Sequence, residues 1–331
     1  FAGRQSIKQY ISFQQARSNA LQANFKNHHT VQPQFTGTKI FDDYELADIR
    51  QYIDWAPFFI AWEMGGRFPQ LLDDEVIGKE ARKLYDDANL LLDKIIDEKW
   101  LKAKAVIGIY PANATSTDDI EVYEDENRTK VKTVFHTIRQ QSKKPSGQYN
   151  VALSDFLAPK NEAADYIGGF ALTTGIGIDE HVQRFEKDHD DYSSILVKAI
   201  GDRLAEAFAE CLHQLVRKDY WGYARAEQLT HEDLIGEKYQ GIRPAPGYPA
   251  CPDHTEKTTL WQLLQPDQIG IHLTESFAMY PASSVSGWYF SHPESKYFGV
   301  GKITDDQLND YAARKEMSIE DATRWLRPIL D

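Results

Sequence analysis

Cysteine and methionine are scarce in this chain of 331 residues, with two cysteines, Cys211 and Cys251, and three methionines. At most one disulfide can form, so a stapled scaffold is excluded, and the usage fits a reducing compartment, the cytoplasm. Long apolar runs are also missing. The richest, at residues 55–62, falls far short of the ~20 residues a membrane helix needs. The first residues carry no apolar stretch of the kind a secretory leader has. Since the sequence does not start with methionine, it is expected to be part of a longer chain. Basic residues are in the minority, 37 against 50 acidic, and the net charge of −13 with scattered Lys and Arg argues against a nucleic-acid binder. An acidic balance suits a cationic ligand, or a partner with a local basic patch.

Hydrophobic spacing divides the chain into helical and extended regions. Residues 5–25 read as an amphipathic helix through Ile7, Tyr10, Ile11 and Ala16, followed by a polar connector, so that residues 1–37 form an arm and residues 38–331 the domain proper. Residues 42–62 combine a short helix with an aromatic run, directly preceded by Asp54. Residues 73–100 and 190–218 are long helices, the first through Ile77, Ala81, Tyr85, Leu90, Leu91 and Ile95. Between them, residues 103–112, 119–123 and 130–137 are rich in β-branched residues and separated by turns, which predicts an antiparallel meander, and residues 165–174 are a further expected strand. A last hairpin is expected from residues 285–290 and 296–303. Thr304 and Ser318 each stand three residues before Gln307 and Asp321, the spacing of a capping box. Strands grouped apart from helices give an α+β fold.

Several short patterns fail as chemistry. Gly175-Ile176-Gly177 lacks the third glycine of a dinucleotide fingerprint and reads as a strand-to-helix turn with Asp179 as N-cap. Cys251 and His254 have the spacing of half a zinc site, but no second pair accompanies them. Hydrolase nucleophile elbows are missing. Asp202, Glu206 and Glu210 stack three carboxylates at i, i+4 spacing, by default a solvated face and a ligand anchor only beside a concavity. Asp54 is by default an N-cap or an exposed acid, and a ligand anchor if the aromatic run behind it lines a cleft. More informative is the segment 241–257, where prolines at 244, 246, 249 and 252 forbid helix or central strand and leave a stiff polyproline-like ribbon carrying Arg243 and Tyr248. Such a ribbon is either a rigid connector or a preformed ligand cradle, with a guanidinium that can grip a carboxylate. A tyrosine face near a cation adds roughly 0.5–2 kcal/mol.

The ribbon Arg243–Lys257, together with Tyr52–Phe59, Asp202–Glu210, Leu273–Met279 and Ser284–Pro293, resembles the C-terminal activation domain of cobalamin-dependent methionine synthase, in order and over nearly the whole chain. The resemblance implies that the domain binds S-adenosylmethionine, with Asp54, Glu206, Arg243, Ala245, Tyr248, Tyr297 and Phe298 at the binding groove and Glu237 behind them. The architecture it implies is a twisted antiparallel sheet with flanking helices in one concave, C-shaped domain. The activity it implies is repair, in which an electron and the methyl group of S-adenosylmethionine return cob(II)alamin to methylcobalamin. Cobalamin is then held by another domain of the parent chain, any zinc by yet another, and flavodoxin or an equivalent is the reductant. No residue of this domain is expected to be catalytic. The family's cobalt-ligating D-x-H-x-x-G is matched only by Asp179-x-His181-x-x-Arg184, where arginine replaces the glycine, so this part is not expected to bind cobalamin alone. Two other readings stay open on the residues themselves: a stand-alone small-molecule methyltransferase, and a docking domain for partner proteins.

Overall fold

The structure, a computed structural model, describes residues 9–25 and 30–331. Ser12 opens the first helix, α1 (Phe13–Ser18), with a reciprocal capping box: its Oγ accepts from Gln15 N at 3.2 Å while Gln15 Oε1 accepts from Ser12 N at 3.0 Å. Within the described part of the predicted helix over 5–25, only this short stretch is helical. Tyr10 and Ile11 pair in extended form with Ser142 and Gln141, and Ile7 lies outside the described residues. The following segment lies against the domain, with Phe13 and Phe25 buried.

Strand β1 (Gly37–Tyr44) is an edge strand that the reading of 42–62 missed, because its largely exposed residues do not alternate. Two short helices follow, α2 (Leu46–Arg50) and α3 (Ala56–Ala61), then α4 (Gly78–Asp97). The apolar stripe of α4 is Ala81, Leu84, Ala88, Leu92 and Ile95, whereas Leu90 faces solvent. Strands β2 (Lys102–Ala114), β3 (Asp119–Tyr123) and β4 (Val131–His136) form the predicted meander, and β5 (Asp165–Ile176), also expected as a strand, returns to pair with β2. Helices α5 (Ile178–Lys187), α6 (Asp191–Leu215), α7 (His231–Ile235) and α8 (Glu256–Leu264) come next. The N-cap of α5 is Gly177, at φ 97°, and not Asp179. The short β6 (His272–Leu273) and β7 (Met279–Tyr280) pair with each other, and β8 (Ser284–Tyr289) precedes α9 (Asp305–Arg314) and α10 (Ile319–Leu326).

The main sheet is antiparallel, in the order β4-β3-β2-β5-β8, with β1 and β3 sharing the edge of the long β2 opposite β5, β1 along Ala103–Ile109 and β3 along Ala112–Ala114. Alternation along β2 explains its central place. Ala103, Ala105, Ile107 and Ile109 face one core, with α4 and α6, while Val106, Tyr110, Ala112 and Ala114 face another, with α8. Close approach of α8 needs the paired glycines Gly108 and Gly169, where a Cβ would stand 2.7 Å from Leu264 and 3.0 Å from Leu260. A third cluster joins α9 and α10 to Ile138, Val300 and Ile303.

The expected hairpin of residues 285–290 and 296–303 is replaced by a different pairing. Only β8 is a strand, one edge bonded to β5 and the other to the proline ribbon: Ile242 and Phe290 exchange N–H···O bonds at 3.0 Å, and Trp288 N donates to Pro244 O at 2.9 Å. Ribbon carbonyls expected to be unpaired are thus spent on the sheet edge, which the prolines then close to further strands. Gly287 permits the contact, since a Cβ there would meet Pro244 O at 2.5 Å. Ser318 caps α10 as predicted, its Oγ accepting from Asp321 N at 3.0 Å. Thr304 does not cap α9 with its side chain. Its hydroxyl bonds Asp306 and Gln141, and Gln307 turns inward to the backbone of Arg139.

Candidate functional site

Helix α6, the ribbon and the turn after β8 converge on two adjoining cavities of about 330 and 570 Å³, which share Glu206, Glu237 and Arg243. The smaller lobe is polar and adds Tyr52, Asp54, Arg203 and His231. The larger is bounded by Ala245, Tyr248, Tyr297, Phe298, Phe170 and Ser286. All seven residues nominated from the sequence, and Glu237, line one lobe or the other.

Each side chain owes its place to a local feature. Asp54 is not the N-cap of α3, which is Trp55; it stands one residue before it, where one carboxylate oxygen accepts from Ala56 N at 2.9 Å and the residue lines the cavity wall. Glu206, one turn before Glu210 on α6, is exposed, and neither its side chain nor that of Glu237 makes a hydrogen bond among the described residues. Tyr248 is at the ribbon's tight turn, where its N–H donates to Ala245 O at 3.2 Å and its C=O accepts from Cys251 N at 2.9 Å. The ring is 59 % exposed, and burial of part of it together with Glu206 raises the phenol's pKa above the ordinary value. Tyr297 is fixed by its hydroxyl, which accepts from Arg243 N and lies next to Tyr239 Oη, both at 3.1 Å. Phe298 packs edge-on against Phe156 at 6.2 Å.

Beneath the junction of the lobes lies a set of buried charges that sequence reasoning did not assemble. Arg243 Nη1 forms an ion pair with Glu210 Oε2 at 2.8 Å, donates to Tyr239 Oη at 3.0 Å and lies 3.3 Å from His213 Nδ1, while its Nε and Nη2 have no partner among the described residues. A guanidinium only donates, so His213 Nδ1 accepts and the imidazole proton sits on Nε2, facing Tyr223 Oη at 3.3 Å. Full burial, with Arg217 and Arg243 alongside, holds the His213 imidazole neutral, its pKa well below the ordinary value. Arg217 is wholly buried and grips Glu227 with Nε and Nη2, at 3.0 and 2.9 Å. Glu210 was visible in the i, i+4 carboxylate stripe. The clue to its burial was the surrounding run of Ala207, Phe208, Ala209, Cys211 and Leu212, which leaves no wet face for it.

The two cysteines are free and buried, with Cys251 Sγ directed at Asp253 O. Among the described residues no group of three or more His, Cys, Asp or Glu is arranged to hold a metal, and no helix is long and apolar enough to cross a membrane.

Comparison with known proteins gives this geometry a context. Residues 45–316 match the family described as the vitamin B12 dependent methionine synthase activation domain. The chain is also similar to a crystal structure of the MetH reactivation domain bound to AdoHcy, at 51% identity and a TM-score of 0.94, over 97% of this chain and 98% of that one. The sheet, the ribbon on its edge and the matched residues agree in one conclusion: the chain belongs to the activation-domain family of vitamin B12 dependent methionine synthases.

Proposed function

We propose that the groove binds S-adenosylmethionine, with the amino-acid end in the polar lobe and the adenosine end between the ribbon and Tyr297. The observation that carries this reading is the sharing of Arg243, Glu206 and Glu237 by a polar and an aromatic cavity. A zwitterion joined through a cationic sulfur to a flat base has the same division along its length. In this arrangement the free Nε and Nη2 edge of Arg243 holds the ligand carboxylate. Asp54 or Glu206 takes the ammonium, and the tyrosine faces attend the sulfonium or adenine. Acids outnumber arginines along the groove, which favours a ligand of net positive charge. The AdoHcy held by the 51%-identical relative supports the same ligand class.

The chain's part in the repair reaction is then positional. It presents the sulfonium methyl to a cobalt centre carried by a cobalamin module elsewhere in the parent polypeptide, within a cytoplasmic enzyme that draws its electron from flavodoxin or an equivalent. Adding an electron to cob(II)alamin is unfavourable, and methyl transfer traps the reduced metal and draws the reaction forward. Titration calorimetry of the chain with AdoHcy tests the binding. Saturable uptake is expected, and Arg243→Ala should weaken it by about 2–3 kcal/mol, roughly 30- to 150-fold. Unchanged affinity in that variant would refute the assignment. The isolated chain is expected to show no methyl transfer, which separates this reading from a self-sufficient methyltransferase.

A further inference from the structure

Arg243 projects toward the groove from a flexible side chain, and the ribbon fixes only its backbone. What holds the guanidinium is behind it. Glu210, 9 % exposed, lies between two arginines: Oε2 is ion-paired with Arg243 Nη1 at 2.8 Å, and Oε1 is 3.7 Å from Nη1 of Arg217. Neither Oε1 nor that nitrogen has a hydrogen-bond partner among the described residues. Arg217 cannot swing away, because Glu227 holds its other edge through Nε and Nη2. Tyr239 fills the space between the two guanidiniums, its ring centroid 4.4 Å from Cζ of Arg217 and 5.7 Å from Cζ of Arg243. Three side chains, Glu210, Tyr239 and His213, thus converge on one nitrogen of Arg243 and leave the opposite edge open.

We propose that Glu210 is the positioning residue of the groove: through its pairing with Arg243 Nη1 it fixes the guanidinium so that Nε and Nη2 meet the carboxylate of the ligand. The inference rests on the reading of Arg243 given above. Glu210 and Glu206, one turn apart on the same helix, both border the polar lobe. Glu210 is the one engaged with Arg243, and Glu206, exposed and without a hydrogen bond among the described residues, is the one left to meet the ligand. A buried carboxylate aligned by two arginines and a helix backbone loses little side-chain entropy in this task, and its orienting effect passes to the ligand through a single ion pair.

The test measures two ligands on four proteins by calorimetry: AdoHcy and 5′-methylthioadenosine, which lacks the amino-acid carboxylate, on the unaltered chain, Glu210→Gln, Arg243→Ala and the double variant. Glu210→Gln keeps the side chain's shape. Thermal melts and near-ultraviolet circular dichroism establish that each variant is folded, and Glu210→Asp serves in its place where it is not. The expected result is an AdoHcy affinity about tenfold or more weaker in Glu210→Gln. Methylthioadenosine affinity should stay within about twofold, and the double variant should be no weaker than Arg243→Ala alone, the non-additivity of residues acting through one another. Equal weakening of both ligands by Glu210→Gln would overturn the proposal, showing a merely structural role. So would unchanged AdoHcy binding in Glu210→Gln beside a large loss in Arg243→Ala, which leaves the ligand reading standing. Insensitivity of AdoHcy to Arg243→Ala is a separate outcome that removes the ligand reading, and with it the proposal.

Discussion

Two arginine clusters lie inside this domain, and they are finished to different degrees. Around Arg139 every donor is used: Nη1 to Asn150 O and Asp155, Nη2 to Asp155 and Asp118, Nε to Asp118 at 3.1 Å, and the backbone N–H to Gln307 at 2.8 Å. Around Arg243, by contrast, Nε and Nη2 remain open, and Glu210 Oε1 and Arg217 Nη1 lack hydrogen bonds among the described residues. A cavity of about 620 Å³ borders the first cluster and is larger than either lobe of the groove. Volume therefore does not distinguish a site from a gap. Unspent hydrogen-bonding capacity next to the volume does, because a buried polar group without a partner costs about 1–3 kcal/mol that a ligand can recover.

The comparison is broken most forcefully at the saturated cluster. Arg139→Ala would leave the buried Asp155 with only the Ala152 N–H and Asp118 with only Arg17 as side-chain partner, and should destabilise the domain by about 3–5 kcal/mol in urea unfolding. A loss below about 1 kcal/mol would show that the cluster is not structural in the sense argued. The counterpart, Arg243→Ala, should cost more in affinity than in stability, since its side chain is 20 % exposed and Glu210 can still approach Arg217. A melting transition that falls as far as that of Arg139→Ala would erase the distinction between the two.

Acid sharpens the contrast further. His213 is neutral in the fold and its pKa lies well below 6.5, whereas in the unfolded chain it takes up a proton near its ordinary value. Below about pH 6.5 the unfolded state binds the extra proton, so stability contributed by this site is present above that pH and declines as pH falls, by at most about 1.4 kcal/mol per pH unit. Replacing His213 with Gln should flatten the stability curve between about pH 6.5 and 5. An unchanged slope relative to the parent chain would assign the acid sensitivity elsewhere. The smallest effect expected is at the rim. Tyr297→Phe deletes the hydroxyl that accepts from Arg243 N and meets Tyr239, and should weaken AdoHcy by about 1 kcal/mol in calorimetry. A loss as large as that of Arg243→Ala would place Tyr297, not the guanidinium, at the centre of recognition.

Where the chain's local rules are strong, the fold was legible. Residues 119–123 form a strand with the bounds its pattern predicts, and the helix read over 190–218 is α6 with a π turn after it. Edge elements were less so. β1 escaped because a strand with one solvated side and few alternating residues carries little periodic signal, and residues 296–303 were misread because the other partner of the β8 segment is the ribbon, far earlier in the chain, where Ile242 pairs with Phe290 and Pro244 with Trp288. Of the groove, the exposed residues Glu206, Tyr248 and Tyr297 could be nominated from motifs, while Arg217, Glu227, Tyr239 and His213 could not. Nothing in their spacing distinguishes a buried partner from a surface one.

By itself the sequence determined that four prolines make a stiff ribbon, that β-branched runs make an antiparallel meander, and that one arginine and one tyrosine stand at fixed places on that ribbon. Those outcomes follow from backbone sterics and side-chain periodicity, which act over a few residues. Only the tertiary structure decided that the ribbon closes the edge of β8, and that Glu210, an apparent surface acid, is buried against Arg243. Burial and pairing are properties of neighbours distant in the chain, and the free energy of a charge depends on what surrounds it, not on what precedes it.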